Sequence, residues 1–194
     1  MKNPAIILSV LLAVSASLAS CGGRNVQSRC DVEVYTPEKR YTEARLYDTA
    51  GNMLDSTLRV ANDSVRFSRT DSLAMPYVAQ LRLRNPSDSL DVIYMPVVIE
   101  GGTVRLELSD RIELGGTPDN ERMYEFQKAK NTFTARYENE GHDVEKLKED
   151  YSRFFAAQAL ENRGSIVGRY ILEVYGKMMT RDDLARVREE IKEK

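Results

Sequence analysis

The chain has 194 residues, of which 42% are hydrophobic and 30% charged; its 28 lysines and arginines nearly balance 30 aspartates and glutamates, and it has one histidine and two cysteines. So even a balance argues against a nucleic-acid binder or an extended basic membrane patch. A lone histidine, His142, beside Asp143 in an expected loop, argues against a His-based triad or a multi-histidine metal site, and no metal or cofactor site is expected.

Residues 1–20 carry one lysine, an apolar stretch from Ala5 to Val14 and the ending Leu18-Ala19-Ser20-Cys21, the pattern of a secretory signal. The ending resembles the lipobox of bacterial lipoproteins. That resemblance implies cleavage before Cys21, a diacylglyceryl group on its thiol and acylation of the new amine, with palmitate as a typical chain. Several acyl chains hold a protein on a membrane stably, at about 0.8 kcal/mol per buried CH₂. The 174 residues that follow Ser20 carry a net charge of −3 and are enough for a sizeable core. Residues 21–29 read as a short tether of small polar residues. The tether lacks an acidic run of the kind associated with surface display in some Gram-negative lineages. The expectation is therefore an outer-membrane lipoprotein facing the periplasm.

With Cys21 acylated, Cys30 is the one remaining thiol and no intramolecular disulfide forms. It shares strand parity with Val32 and Val34, which points it into the core; the alternative is a reactive thiol. Strands are expected at residues 31–36, 43–47, 53–60, 64–69 and 77–83, separated by turns at 48–52, 62–63 and 85–88. The alternation is clearest where Tyr77, Ala79, Leu81 and Leu83 oppose Val78, Gln80, Arg82 and Arg84. From Val92 to Ile99 every residue but Pro96 is apolar or aromatic, so both faces of that strand are expected to meet protein. Pro96 cannot donate to a ladder and suggests a bulge or an exposed edge. Gly101 and Gly102 suit a two-residue turn, and Val104, Leu106 and Leu108 alternate with Arg105 and Glu107, so an antiparallel hairpin is expected here. After Ile112 and Leu114, Gly115 and Gly116 lead into Thr117 and Pro118, a threonine suited to capping a helix and a proline suited to its first turn.

Beyond Pro118 the period changes from two to about 3.6. Met123, Phe126, Phe133 and Tyr137 share one helical face, and Val144, Leu147, Tyr151, Phe154 and Gln158 share another, with a turn at 139–143. Asn162-Arg163-Gly164-Ser165 ends the second helix. Ser165 caps a third, in which Ile166, Val167, Tyr170, Ile171 and Val174 are apolar, and Gly176 reads as its stop. Thr180 and Asp183 resemble a capping box for a fourth, charged helix with Leu184, Val187 and Ile191 inward. The fold class is therefore α+β: an antiparallel β-sandwich or barrel-like sheet of seven or eight strands over residues 30–116, followed by four helices over 117–194 that pack with it.

Asp55-Ser56, the run from Pro96 to Val104 with Glu100-Gly101-Gly102-Thr103 inside it, Gly115-Gly116-Thr117-Pro118-Asp119-Asn120 and Val167-Gly168-Arg169-Tyr170 occur in an order that resembles a domain of unknown function. That domain precedes thioredoxin-like (AhpC/TSA or thiol-disulfide oxidoreductase) domains in many periplasmic lipoproteins. The resemblance spans about residues 32–191 and implies the lipoprotein address and the fold; at Gly101 proline is the commoner residue. No Cys-x-x-Cys occurs, so thiol-disulfide exchange is not carried over. No Gly-x-Ser-x-Gly, P-loop or dinucleotide fingerprint occurs, and no catalytic residue is assigned. The expectation is a non-catalytic binding or accessory module on the membrane, with an envelope protein or a thioredoxin-like protein as partner. The alternative is a truncated or accessory relative of a periplasmic thiol-disulfide oxidoreductase.

Overall fold

The computed structural model describes residues 29–37, 41–57, 63–70, 76–109, 111–137 and 143–192. The signal segment, Cys21, nearly all of the tether and His142 lie outside the described residues. Eight strands come first: β1 (Arg29–Tyr35), β2 (Glu43–Tyr47), β3 (Met53–Thr57), β4 (Ser64–Thr70), β5 (Tyr77–Arg84), β6 (Val92–Ile99), β7 (Gly102–Leu108) and β8 (Ile112–Gly115). Four helices follow: α1 (Pro118–Ala135), α2 (Val144–Glu161), α3 (Ile166–Tyr175) and α4 (Arg181–Lys192). The chain has the expected α+β architecture.

The strands form two four-stranded sheets: sheet A in the order β4-β1-β7-β8 and sheet B in the order β3-β2-β5-β6. Alternation decides their inner faces. Cys30, Val32, Val34, Phe67, Val104 and Leu106 of sheet A, and Ala44, Leu46, Ala79, Leu81 and Leu83 of sheet B, are all buried. The outer face of sheet A is charged instead. There Arg66 reaches Asp31 at 3.2 Å and Glu33 at 3.6 Å, and Arg105 reaches Glu33 at 3.8 Å. The Ser68 hydroxyl, and then Arg29 and Arg66, hold the Asp31 carboxyl below its ordinary value.

Two expectations about the sheets are corrected. The strands flanking Gly101 and Gly102 do not form a hairpin: β6 pairs with β5, and β7 pairs with β1 and β8, so the chain crosses from one sheet to the other at Glu100 and Gly101. Nor is the pairing wholly antiparallel, because β7 runs parallel to β1. A crossing lets the apolar ends of both strands enter one core, whereas a hairpin would place them in one sheet. Pro96 does fall on an edge strand. It shares parity with Val98, whose N–H points away from β5, so the missing donor costs the ladder nothing. Only the second half of β6, from Pro96 onward, is buried; Tyr94 is 60% exposed.

The helices extend the same core, α1 lying along β8 and β6 and α3 against β5. The buried face of α2 is rotated from the one expected. Ser152, Phe155, Ala156 and Ala159 are buried, while Val144 is exposed. Small side chains let neighbouring helices approach closely. At Gly168 of α3 an added Cβ would lie 2.4 Å from the Asn162 carbonyl oxygen and 3.1 Å from that of Ala159. Gly164 takes a positive φ of 83° in the turn after α2. Gly176 is no left-handed stop: its φ is −56° and the chain continues as a short 3₁₀ turn.

At the start of α4, Thr180 Oγ1 accepts from the Asp183 N–H at 3.3 Å, as a capping threonine should. Aspartate is one methylene shorter than the usual glutamate, and the reciprocal bond runs through α2. The Thr180 N–H donates to Ser152 Oγ at 2.7 Å, and Ser152 Oγ donates to Asp183 Oδ2. Ser152 is 1% exposed. Ser152→Ala removes the acceptor of the Thr180 N–H and one of the two hydroxyl donors to Asp183 Oδ2, the Thr180 hydroxyl being the other. It should lower unfolding free energy by about 1–3 kcal/mol in urea titration.

The helical aromatics form one cluster. Phe133 stacks on Phe154 at 4.3 Å, Phe155 stacks on Tyr175 at 4.4 Å, and Phe126 meets Tyr175 edge-on at 5.6 Å. Burial, and then the neighbouring Tyr175, push the Tyr170 hydroxyl well above the usual tyrosine range; burial and then Asp150 raise that of Tyr137. Both folded values exceed the unfolded value near 10. The stability these groups contribute is therefore complete below pH 10 and is lost as pH rises above it. In an ultraviolet pH titration of the ten tyrosines, a phase above the ordinary tyrosine range should appear, and Tyr170→Phe should remove part of it.

Candidate functional site

The residues singled out in the sequence as turn and cap come together, and their work is structural. The corner at Gly102, with φ 121°, faces the corner at Gly116, with φ 90°. An added Cβ at Gly102 would sit 3.2 Å from Thr117 Cγ2, and one at Gly116 would sit 2.4 Å from the Thr103 carbonyl oxygen. The chain passes twice through one narrow place. Gly115 closes β8, and Pro118 opens α1 where a missing N–H is harmless.

Thr117 occupies the N-cap position of α1, but its side chain makes no capping bond. Its Oγ1 instead accepts from Asn120 Nδ2 at 2.8 Å. The cap comes from another strand end: Glu100 Oε1 accepts from the Asp119 N–H at 2.9 Å and the Asn120 N–H at 3.3 Å. Together with the Glu121 N–H bonded to the Thr117 carbonyl at 3.0 Å, every backbone donor of the first turn is satisfied. A carboxylate from the protein itself thus occupies the place where an anion would bind.

Asn120 completes the arrangement and is 0% exposed. Its Oδ1 accepts from the Val98 N–H and its Nδ2 donates to the Val98 carbonyl, both at 2.8 Å. One carboxamide therefore imitates a ladder partner and seals the open edge of β6. Asn120 stood within the sequence motif, but nothing local announced its role. Glu100 acts across 19 residues, a distance that no capping pattern encodes.

Cys30 lies on the inner face of sheet A and is 0% exposed. Among the described residues no group of three or more His, Cys, Asp or Glu side chains is placed to hold a metal ion, and no helix is long and apolar enough to cross a membrane.

Concave surface lies elsewhere, on the outer face of sheet B. A cleft of about 460 Å³ runs between that face and α3, walled by Tyr47, Tyr94, Tyr170 and Val174 over a floor of Val78 and Gln80. Arg82 projects into it, its guanidinium carbon 5.7 Å from the centre of the Tyr94 ring. At the cleft's rim the Asn52 side chain and backbone hold the Asp48 carboxyl below its ordinary value. A second cleft of about 680 Å³ begins on the other side of Tyr94 and runs between β6, β8 and α1. Sequence reading placed Arg82 and Tyr94 on strands, but only the fold puts them opposite α3. No protein-family model matches the chain, and no curated protein matches its sequence.

Proposed function

We propose that this chain is an envelope lipoprotein, tethered to the outer membrane through acyl groups on Cys21, whose folded part is a non-catalytic binding or accessory module facing the periplasm. One observation carries the binding reading: among the described residues, Glu100, Ser152, Asp183, Asp31 and Glu33 are engaged in holding the fold, while the cleft over sheet B leaves Arg82 and three tyrosines lining open space. Glu100 caps α1, Ser152 and Asp183 close α4, and Asp31 and Glu33 are tied to arginines. The Leu18-Ala19-Ser20-Cys21 ending supports the anchor. The resemblance to the domain that precedes thioredoxin-like domains favours an envelope protein of that class as the partner.

The direct redox version, in which Cys30 exchanges with a partner disulfide, requires an accessible thiolate. The burial of Cys30 supports an accessory role without exchange. Iodoacetamide should leave Cys30 unmodified in the native protein and label it fully in denaturant; rapid native labelling would restore the redox reading.

The anchor is tested by mass spectrometry of the amino-terminal peptide from the membrane fraction. It should begin at Cys21 and carry acyl mass, and Cys21→Ser should accumulate as unprocessed precursor. An unacylated mature chain would contradict the proposal.

A further inference from the structure

We propose that Arg82 receives a carboxylate from an acidic, extended peptide segment of a partner protein, laid along the groove between the outer face of sheet B and α3. This rests on the binding-module reading and names its ligand. Among the described residues three arginines project from this face, and two have an acid to answer them: Arg45 and Arg84 each lie 3.7 Å from Glu43. Arg82 has no ion pair among the described residues, and its Nε is covered with no acceptor. A covered donor with no partner is costly, and here it belongs to a group shaped for a planar carboxylate. Side-on capture by Nε and one terminal nitrogen would satisfy it. The Tyr94 ring, 60% exposed, is the wall best able to turn aside.

The occupant is a chain rather than a small acid because the groove continues. Tyr94 borders both the cleft of about 460 Å³ and the neighbouring one of about 680 Å³. Tyr170 and Val78 border the first and a third of about 290 Å³ towards the start of α3. Charge selects the partner over the first two clefts: the second presents Arg111, Lys128 and Lys130 against Glu113, with Lys128 also 3.7 Å from Glu125, while Asp48 and Glu173 at the third mark where the acidic stretch ends. Strand addition is disfavoured, since Pro96 offers no outward N–H and Asn120 already occupies the edge at Val98. Side chains, not a main-chain ladder, would hold the peptide.

The test is fluorescence anisotropy of a labelled peptide of alternating glutamate and alanine, titrated with the full chain in detergent micelles, beside peptides carrying glutamine or lysine in place of glutamate. Saturable binding of the glutamate peptide alone is expected, weakening as salt is raised. Arg82→Gln should weaken it about tenfold or more, Arg82→Lys by less, and Arg84→Gln hardly at all. Thermal melting of each variant confirms the fold, and Arg82→Lys carries the test should Arg82→Gln unfold. The proposal is overturned by no saturable binding, by equal binding of the glutamine peptide, by unchanged binding to Arg82→Gln, or by equal loss in Arg84→Gln. Free glutamate competing as well as the peptide would overturn the extended occupant. An acylated Cys21 alongside any of these failures leaves the lipoprotein reading standing, whereas peptide binding by an unacylated protein leaves the groove standing without it.

Discussion

Asn120→Ala is expected to lower the unfolding free energy by about 3–5 kcal/mol, a large share of the roughly 5–15 kcal/mol that holds a domain together. Truncation removes the acceptor of the Val98 N–H, the donor to the Val98 carbonyl and the donor to Thr117 Oγ1, all at a site with no exposure. Each buried group left unmatched costs about 1–3 kcal/mol, and water can reach none of them without opening the edge of β6. For a chain of this size the melting temperature should fall by roughly 10 °C. Asn120→Asp separates polarity from shape. It keeps the volume but sets a buried carboxyl where Nδ2 lay 3.5 Å from Glu100 Oε1. Burial and the nearby acid raise the folded pKa of such a group above its unfolded value, so the variant's deficit relative to the native protein should shrink as pH falls from neutral and grow as pH rises. A deficit that did not change with pH would contradict this.

Gly116→Ala is expected to be comparably severe, about 3 kcal/mol or more, for a different reason. Its φ of 90° is strained for any other residue, and the new methyl would stand 2.4 Å from a backbone oxygen of β7 that cannot turn away. Gly51 is the natural control. Its φ is almost the same, at 88°, but no atom lies within 4 Å of its added Cβ. Gly51→Ala should therefore cost only the backbone strain, on the order of 1 kcal/mol. Equal losses in chemical denaturation of the two variants would mean that the interlocked corners do not matter.

These two sites show what the sequence could and could not reveal. Strand signals placed β1 to β7, with Tyr77, Ala79, Leu81 and Leu83 on β5 the clearest alternation, while the four residues of β8 carried no strand assignment of their own. Partnering was not written locally. Gly101 and Gly102 look the same whether they turn a hairpin or carry the chain to another sheet, and the parallel pairing of β1 with β7 joins strands more than 60 residues apart. Gly102 serves close approach to Thr117 as much as bending. The buried face of α2 was misread because counting large apolar residues favours Val144 over Ala156 and Ala159, whose value lies in being small. Thr117 had the right type and place for a cap, but its hydroxyl was taken by Asn120 and a carboxylate from β6's end did the capping. The cleft was hidden for the same reason: Arg82 and Tyr94 looked like ordinary outward positions until α3 was folded across from them.

The stretch from Glu100 to Asn120 is therefore a clasp joining both sheets to α1. Native-state hydrogen exchange at the Val98 amide tests this most directly. That N–H points out of an edge strand, where exchange is ordinarily fast, and only the Asn120 carboxamide covers it. Protection comparable to the paired amides of β5 in the native protein, lost selectively in Asn120→Ala, is the predicted result. Rapid exchange at Val98 in the native protein would contradict it.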